Sequence, residues 1–217
     1  ITGNDATGVL SGVTFDNQGN VSDLWLQKVN LITFSLSTKT PNLPGSYRNG
    51  VISRSVMNAD STKLYTGHGA VAGSLLEYTI SNRSVRAIDV PGTDNVDNVT
   101  YEDGKLYVLT RGSDLILHVL DEQSGTVLKS ISLIVGIGAV NSHTTIDVDP
   151  NTNIGYVSVP TAPDGQLLTV NLQTDVVVPV ISSPINTLDS GLSTDGLRLY
   201  IPNLSGGLRI WDTQTSA

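Results

Sequence analysis

The stretch Leu192-Ser193-Thr194-Asp195-Gly196-Leu197-Arg198-Leu199-Tyr200-Ile201-Pro202-Asn203 decides how this chain folds. Its Thr194-Asp195-Gly196 core is a tight-turn signal, because a short acidic side chain bonds the neighbouring backbone and glycine adopts the conformations that a sharp reversal needs. Leu199-Tyr200-Ile201 then reads as a short strand carrying an aromatic residue. After a loop, Leu208-Arg209-Ile210-Trp211 alternates as a second strand and ends on another polar turn, Asp212-Thr213-Gln214-Thr215.

The same succession occurs four more times. Asp16-Asn17-Gln18-Gly19 precedes Leu24-Trp25-Leu26, Asn58-Ala59-Asp60 precedes Leu64-Tyr65, Glu102-Asp103-Gly104 precedes Leu106-Tyr107-Val108, and Asp149-Pro150-Asn151 precedes Tyr156-Val157. The aromatic residues Trp25, Tyr65, Tyr107, Tyr156 and Tyr200 are spaced 40, 42, 49 and 44 residues apart. Alternating strands follow at residues 31–36, 75–80, 115–120 and 167–172, each closed by a second polar turn, and β-branched segments such as residues 85–90, 126–133 and 176–181 come next. A period of forty-odd residues marks a repeat architecture. With the strand ahead of each first turn, one unit is four antiparallel strands joined by short connections, which is a propeller blade. The sequence therefore predicts an all-β, five-bladed β-propeller of four-stranded antiparallel blades. It is read as a single domain with repeats at residues 9–46, 51–92, 97–135, 143–184 and 189–217. The fifth repeat stops short of a fourth strand, and residues 1–4 are the expected closing piece.

These residues resemble the YVTN and WD40-like propeller superfamily. The phrase Ser193-Thr194-Asp195-Gly196 through Leu199-Tyr200-Ile201-Pro202-Asn203 follows its S-x-D-G-x-x-L-Y-V-x-N pattern, and Ile210-Trp211-Asp212-Thr213 follows its I-W-D-T ending. Weaker copies lie at residues 101–109 and 148–158. The resemblance spans nearly the whole chain, departs from the superfamily's usual seven blades, and implies an architecture more than an activity. Members are mostly surface, periplasmic or scaffold proteins, with a minority of lyases and lactonases.

Composition narrows the function. Of 217 residues, 39% are hydrophobic and 15% charged, too apolar a balance for a disordered chain. Twenty acidic against twelve basic residues give a net charge of -8, which repels a phosphate backbone and argues against nucleic acid as a partner. The chain has no cysteine, which removes disulfides, thiolate zinc sites and cysteine nucleophiles. Its longest apolar run, residues 131–140, is far shorter than the roughly 20 residues of a membrane-spanning helix. The beginning Ile1-Thr2-Gly3-Asn4-Asp5 lacks an initiator methionine and reads as a processed chain or an excised domain, compatible with secretion or display at the cell surface. Four Asn-x-Ser/Thr triplets, at Asn20, Asn82, Asn98 and Asn203, match chance frequency in so polar a sequence.

The turn aspartates Asp16, Asp60, Asp103, Asp149 and Asp195 read as backbone caps and not as paired carboxylates for glycoside hydrolysis. The repeated tyrosines read as packing between blades. His118 alternates with apolar neighbours and reads as a residue on a strand's polar face, while His68 and His143 lie in loops expected on one propeller face. The loops leading into each first strand collect polar groups on that rim, and the candidate ligand-binding residues are Tyr47, Arg48, Asn49, Asn98, His143 and Asp189. Such a rim suits a protein or carbohydrate ligand. Calcium fits its oxygen donors, although no metal site is assigned and no cofactor is required. The leading expectation is a non-enzymatic recognition module. A lyase or lactonase would use His68 or His143 as base and Arg48 or Arg111 to hold an anionic substrate. A third reading is a structural propeller within a larger surface protein.

Overall fold

The computed structural model describes residues 7–15, 21–30, 52–68, 74–82, 84–92, 95–135, 144–160, 165–182, 190–203 and 206–215, with side chains from Ser55 onward except those of His68, Ile181 and Ser182. The chain divides into two compact units, Ile1–Val96 and Asp97–Ala217. In the first, β1 (Thr7–Phe15) and β2 (Val21–Asn30) form a two-stranded sheet, and β3 (Ile52–Met57), β4 (Lys63–His68), β5 (Ser74–Thr79) and β6 (Ser84–Asp89) form a four-stranded one. Strand β7 (Asn95–Glu102) begins at the boundary and joins β8 (Lys105–Arg111), β9 (Leu115–Asp121) and β10 (Val127–Ile134). A third four-stranded sheet holds β11 (Thr145–Asp149), β12 (Ile154–Val159), β13 (Gln166–Asn171) and β14 (Val177–Ser182). The last has three strands among the described residues, β15 (Gly191–Leu192), β16 (Arg198–Pro202) and β17 (Leu208–Asp212).

Within each sheet a strand hydrogen-bonds to its neighbours in sequence, so the sheets are meanders, with antiparallel registers throughout the described pairs. Three of them are the four-stranded antiparallel units expected from the repeat, while the first and last sheets have two and three strands among the described residues. The predicted strand at residues 31–36 and the closing piece at residues 1–4 lie outside the described residues.

Two kinds of turn build each sheet. Between first and second strands, Asp60 accepts from the Thr62 amide at 3.1 Å and hydroxyl at 2.6 Å. Asp149 accepts from the Asn151 amide at 2.9 Å and the Thr152 hydroxyl at 2.7 Å, and Asp195 from the Leu197 amide at 3.0 Å and the Ser193 hydroxyl at 2.6 Å. Asp103 sits in the left-handed region, at φ 47°, followed by Gly104. After the third strands, Asp121, Asn171 and Asp212 each accept from backbone amides two or three residues on, at 2.7 to 3.0 Å. In the four later sheets the two turns are stitched together by one backbone bond, Ile80 N to Thr62 O, Glu122 N to Gly104 O, Leu172 N to Asn153 O and Thr213 N to Leu197 O.

The successive sheets of the second unit bury each other's faces. Tyr107, Leu109, Leu117 and Val119 pack with Ile146, Val148, Val157, Val159, Leu168 and Val170. Tyr156 and Leu167, on the other face of that third sheet, pack with Leu199, Ile201 and Trp211. A sheet covered on both sides needs nearly continuous apolar strands, which is why β9 reads Leu115-Ile116-Leu117-His118-Val119-Leu120. In the first unit Glu77 is buried under a cross-strand cluster. It takes a two-pronged ion pair from Arg86 at 2.8 and 2.9 Å, with Lys63 at 3.4 Å and the Tyr65 hydroxyl at 3.3 Å. Burial alone would raise its carboxyl, but the Arg86 hydrogen bond and charge, aided by Lys63, carry it below the ordinary glutamate value.

Candidate functional site

First strands are tied to the start of the next sheet by buried acid–hydroxyl bonds. Asp97 in β7 accepts from the Thr144 amide at 2.7 Å and from its hydroxyl, and its other oxygen pairs with Arg111 at 3.2 Å. Asp147 in β11 accepts from the Ser190 hydroxyl at 2.6 Å, and Ser190 also bonds Thr145 at 2.8 Å. Arg111, a candidate anion holder on sequence grounds, is thereby engaged with Asp97.

Next to Asp97 in β7 is Asn98, only 2% exposed, whose amide oxygen has no hydrogen-bond partner among the described residues. A buried acceptor left empty costs about 1–3 kcal/mol, a penalty that a bound donor removes. The Ser158 hydroxyl, fully buried in β12, is the other such group among the described residues.

His118 differs from its sequence reading. It is 2% exposed, bridging Thr110 Oγ1 at 3.0 Å through Nε2 and Ser130 Oγ at 2.8 Å through Nδ1. Both faces of its sheet are apolar, so the strand has no polar face for it to occupy. Thr110 is buried and Ser130 exposed. All three groups are satisfied when Thr110 donates to Nε2, Nδ1–H donates to Ser130, and Ser130 turns its proton to solvent. In that tautomer His118 braces three strands and leaves Ser130 inactivated.

At the opposite ends of β7 and β11 a cleft of about 350 Å³ opens, lined among others by Thr100, Glu102, Asp147, Asp149, Ser193 and Thr194. Asp147 and Asp149 are committed to the bonds above. Glu102 titrates above the ordinary glutamate value because burial disfavours its charged form, with Asp103 and then Asp149 adding negative charge beside it. Among the described residues no group of three or more His, Asp or Glu side chains is arranged to hold a metal ion. Nothing in the turn pattern announces the cleft, since Glu102 and Asp149 read only as turn residues; the alternation Thr145-Ile146-Asp147-Val148-Asp149 is its one local signal.

Of the rim residues expected to bind ligand, Asn98 is described, and it lies within β7, 2% exposed, and not in a loop, because its strand begins at Asn95. Tyr47, Arg48, Asn49, His143 and Asp189 lie outside the described residues. His68 ends β4 with its backbone opposite Ile52, and its side chain is outside the description.

No protein-family model matches the chain, and no curated protein matches it in sequence. Among solved structures, it is similar to the crystal structure of TolB from Acinetobacter baumannii, a β-propeller, with a TM-score of 0.62 at 12% identity over 96% of this chain. The match takes in 51% of that chain, so this sequence spans about half the length of the TolB structure. At that identity the likeness concerns the fold, and it joins the antiparallel four-stranded sheets in supporting a β-propeller type of architecture.

Proposed function

We propose that the protein is a non-enzymatic recognition module, a five-bladed propeller of YVTN-like repeats working outside the cytoplasm. It binds a protein or glycan at the rim formed by the loops leading into its first strands. The observation that carries this reading is the amide oxygen of Asn98, buried within β7, which has no hydrogen-bond partner among the described residues. The adjacent Asp97 is fixed by Arg111 and Thr144, which holds this part of β7 in place. Hydroxyl donors are what a sugar presents, and amide donors are what a peptide backbone presents. TolB, the structural neighbour, supports the propeller frame on which such a rim would stand.

The test is a screen of the full chain against an oligosaccharide array and a panel of cell-surface proteins, with and without calcium, followed by titration of each hit against Asn98→Ala. Removing a hydrogen bond worth about 1.4 kcal/mol weakens binding about tenfold. A ligand whose affinity ignores Asn98→Ala, and equally the Arg48→Ala and Asp189→Ala variants, would move the binding surface away from this rim.

A further inference from the structure

Ser158 is a hydroxyl that the packing of the second unit encloses without a partner. It is fully buried in β12, and its Oγ makes no hydrogen bond among the described residues. It stands directly opposite Thr145 on one side and Leu167 on the other, so the three side chains share one face of the β11–β14 sheet. On that face Tyr156 and Leu167 pack with Leu199, Ile201 and Trp211 of the last sheet, so Ser158 lies in the seam between these two sheets. In the β7–β10 sheet the corresponding pair is Leu109 with Leu117. Serine thus stands where the sister sheet carries a leucine, and the shorter side chain leaves room that a leucine would fill.

The hydroxyls beside it have a fixed direction. Ser190 donates its one proton to Asp147 Oδ2 at 2.6 Å, so in its 2.8 Å bond with Thr145 it accepts, and Thr145 is the donor. Thr145 Oγ1, itself buried, is left as an acceptor with no donor among the described residues. An acceptor and a partnerless hydroxyl therefore lie on directly opposite residues, and no bond joins them. We infer that one buried water sits between Ser158 Oγ and Thr145 Oγ1, accepting the Ser158 proton and donating to Thr145, in a hydration site built into this seam. Buried waters occupy polar pockets that supply two to four partners, whereas apolar cavities stay dry. The water makes Ser158 the inner end of a hydrogen-bonded chain that runs through Thr145 and Ser190 to Asp147, whose carboxylate borders the cleft.

A crystal structure of the full chain, at a resolution that places ordered waters, tests this. The expected result is a single peak at about 2.6–3.0 Å from both oxygens. In solution, oxygen-17 magnetic relaxation dispersion counts the long-lived waters, and Ser158→Val, which puts a methyl group into the site, should lose one of them with circular dichroism unchanged. Ser132→Val, at an exposed hydroxyl of β10, should lose none. Should Ser158→Val misfold, the wild-type map decides alone. An ordered seam without density between the two oxygens, a Ser158 Oγ bonded to a protein acceptor instead, or a folded Ser158→Val that keeps the full count overturns the inference.

Discussion

Two glutamates show how opposite environments set opposite pH responses. The folded carboxyl of Glu77 lies below its ordinary 4.5, so the stabilisation it brings is present above that value and disappears as pH falls through the lowered one. Glu102 lies above its ordinary 4.5, so its favourable contribution is present below that value and is lost as pH rises through the raised one. Glu77→Gln should therefore cost about 1–3 kcal/mol of stability at neutral pH, lowering the melting temperature there, and flatten the acid side of the curve, because Arg86 loses its ionised partner. Glu102→Gln should do the reverse, raising the neutral melting temperature and flattening the curve above pH 4.5. Calorimetry of both variants from acidic to neutral pH distinguishes the two, and a parallel response would show that neither carboxyl feels the surroundings described.

Among the elements, the turn at Gly196 depends on its lack of a side chain. Its φ is +72°, and a Cβ there would stand 2.9 Å from Asp149 Oδ2 in the neighbouring sheet's turn. Gly196→Ala should cost about 1–3 kcal/mol in chemical denaturation, while Gly191→Ala, where an added Cβ meets nothing within 4 Å, costs less than half as much. This turn also shows what the sequence made legible. Asp-Gly and Asn-x-Asp dyads write their hydrogen bonds locally, so the strands, their order and the forty-residue period could be read directly. Burial could not be read the same way. In β9 both strand faces are covered, so alternation carried no information about His118, and it lies in the interior beneath two hydroxyls. The tie from Asp97 to Thr144 joins residues 47 apart, and no local pattern announces which hydroxyl will meet which acid. Of the candidate site, Asn98 and Arg111 are legible as polar residues of loops; that Asn98 is buried within β7 with its oxygen unpartnered among the described residues, and Arg111 engaged, follows only from tertiary packing.

On the scale of the molecule, stability should be graded along the second unit. The sheets β7–β10 and β11–β14 are four-stranded and share an extensive apolar cluster, while the last has three strands among the described residues, with Leu208 and Ile210 more than half exposed. Native-state hydrogen exchange should find the slowest amides in β8, β9, β12 and β13 and the fastest in β17, with protection falling toward the last sheet. Uniform protection across these strands would mean that the sheets open as one block. The meander connection of every sheet has a consequence for biosynthesis. Because each strand pairs with the one made just before it, a sheet has all its backbone partners as soon as its last strand leaves the ribosome. The chain can mature in the order it is translated, with each finished sheet offering an apolar template to the one still being made.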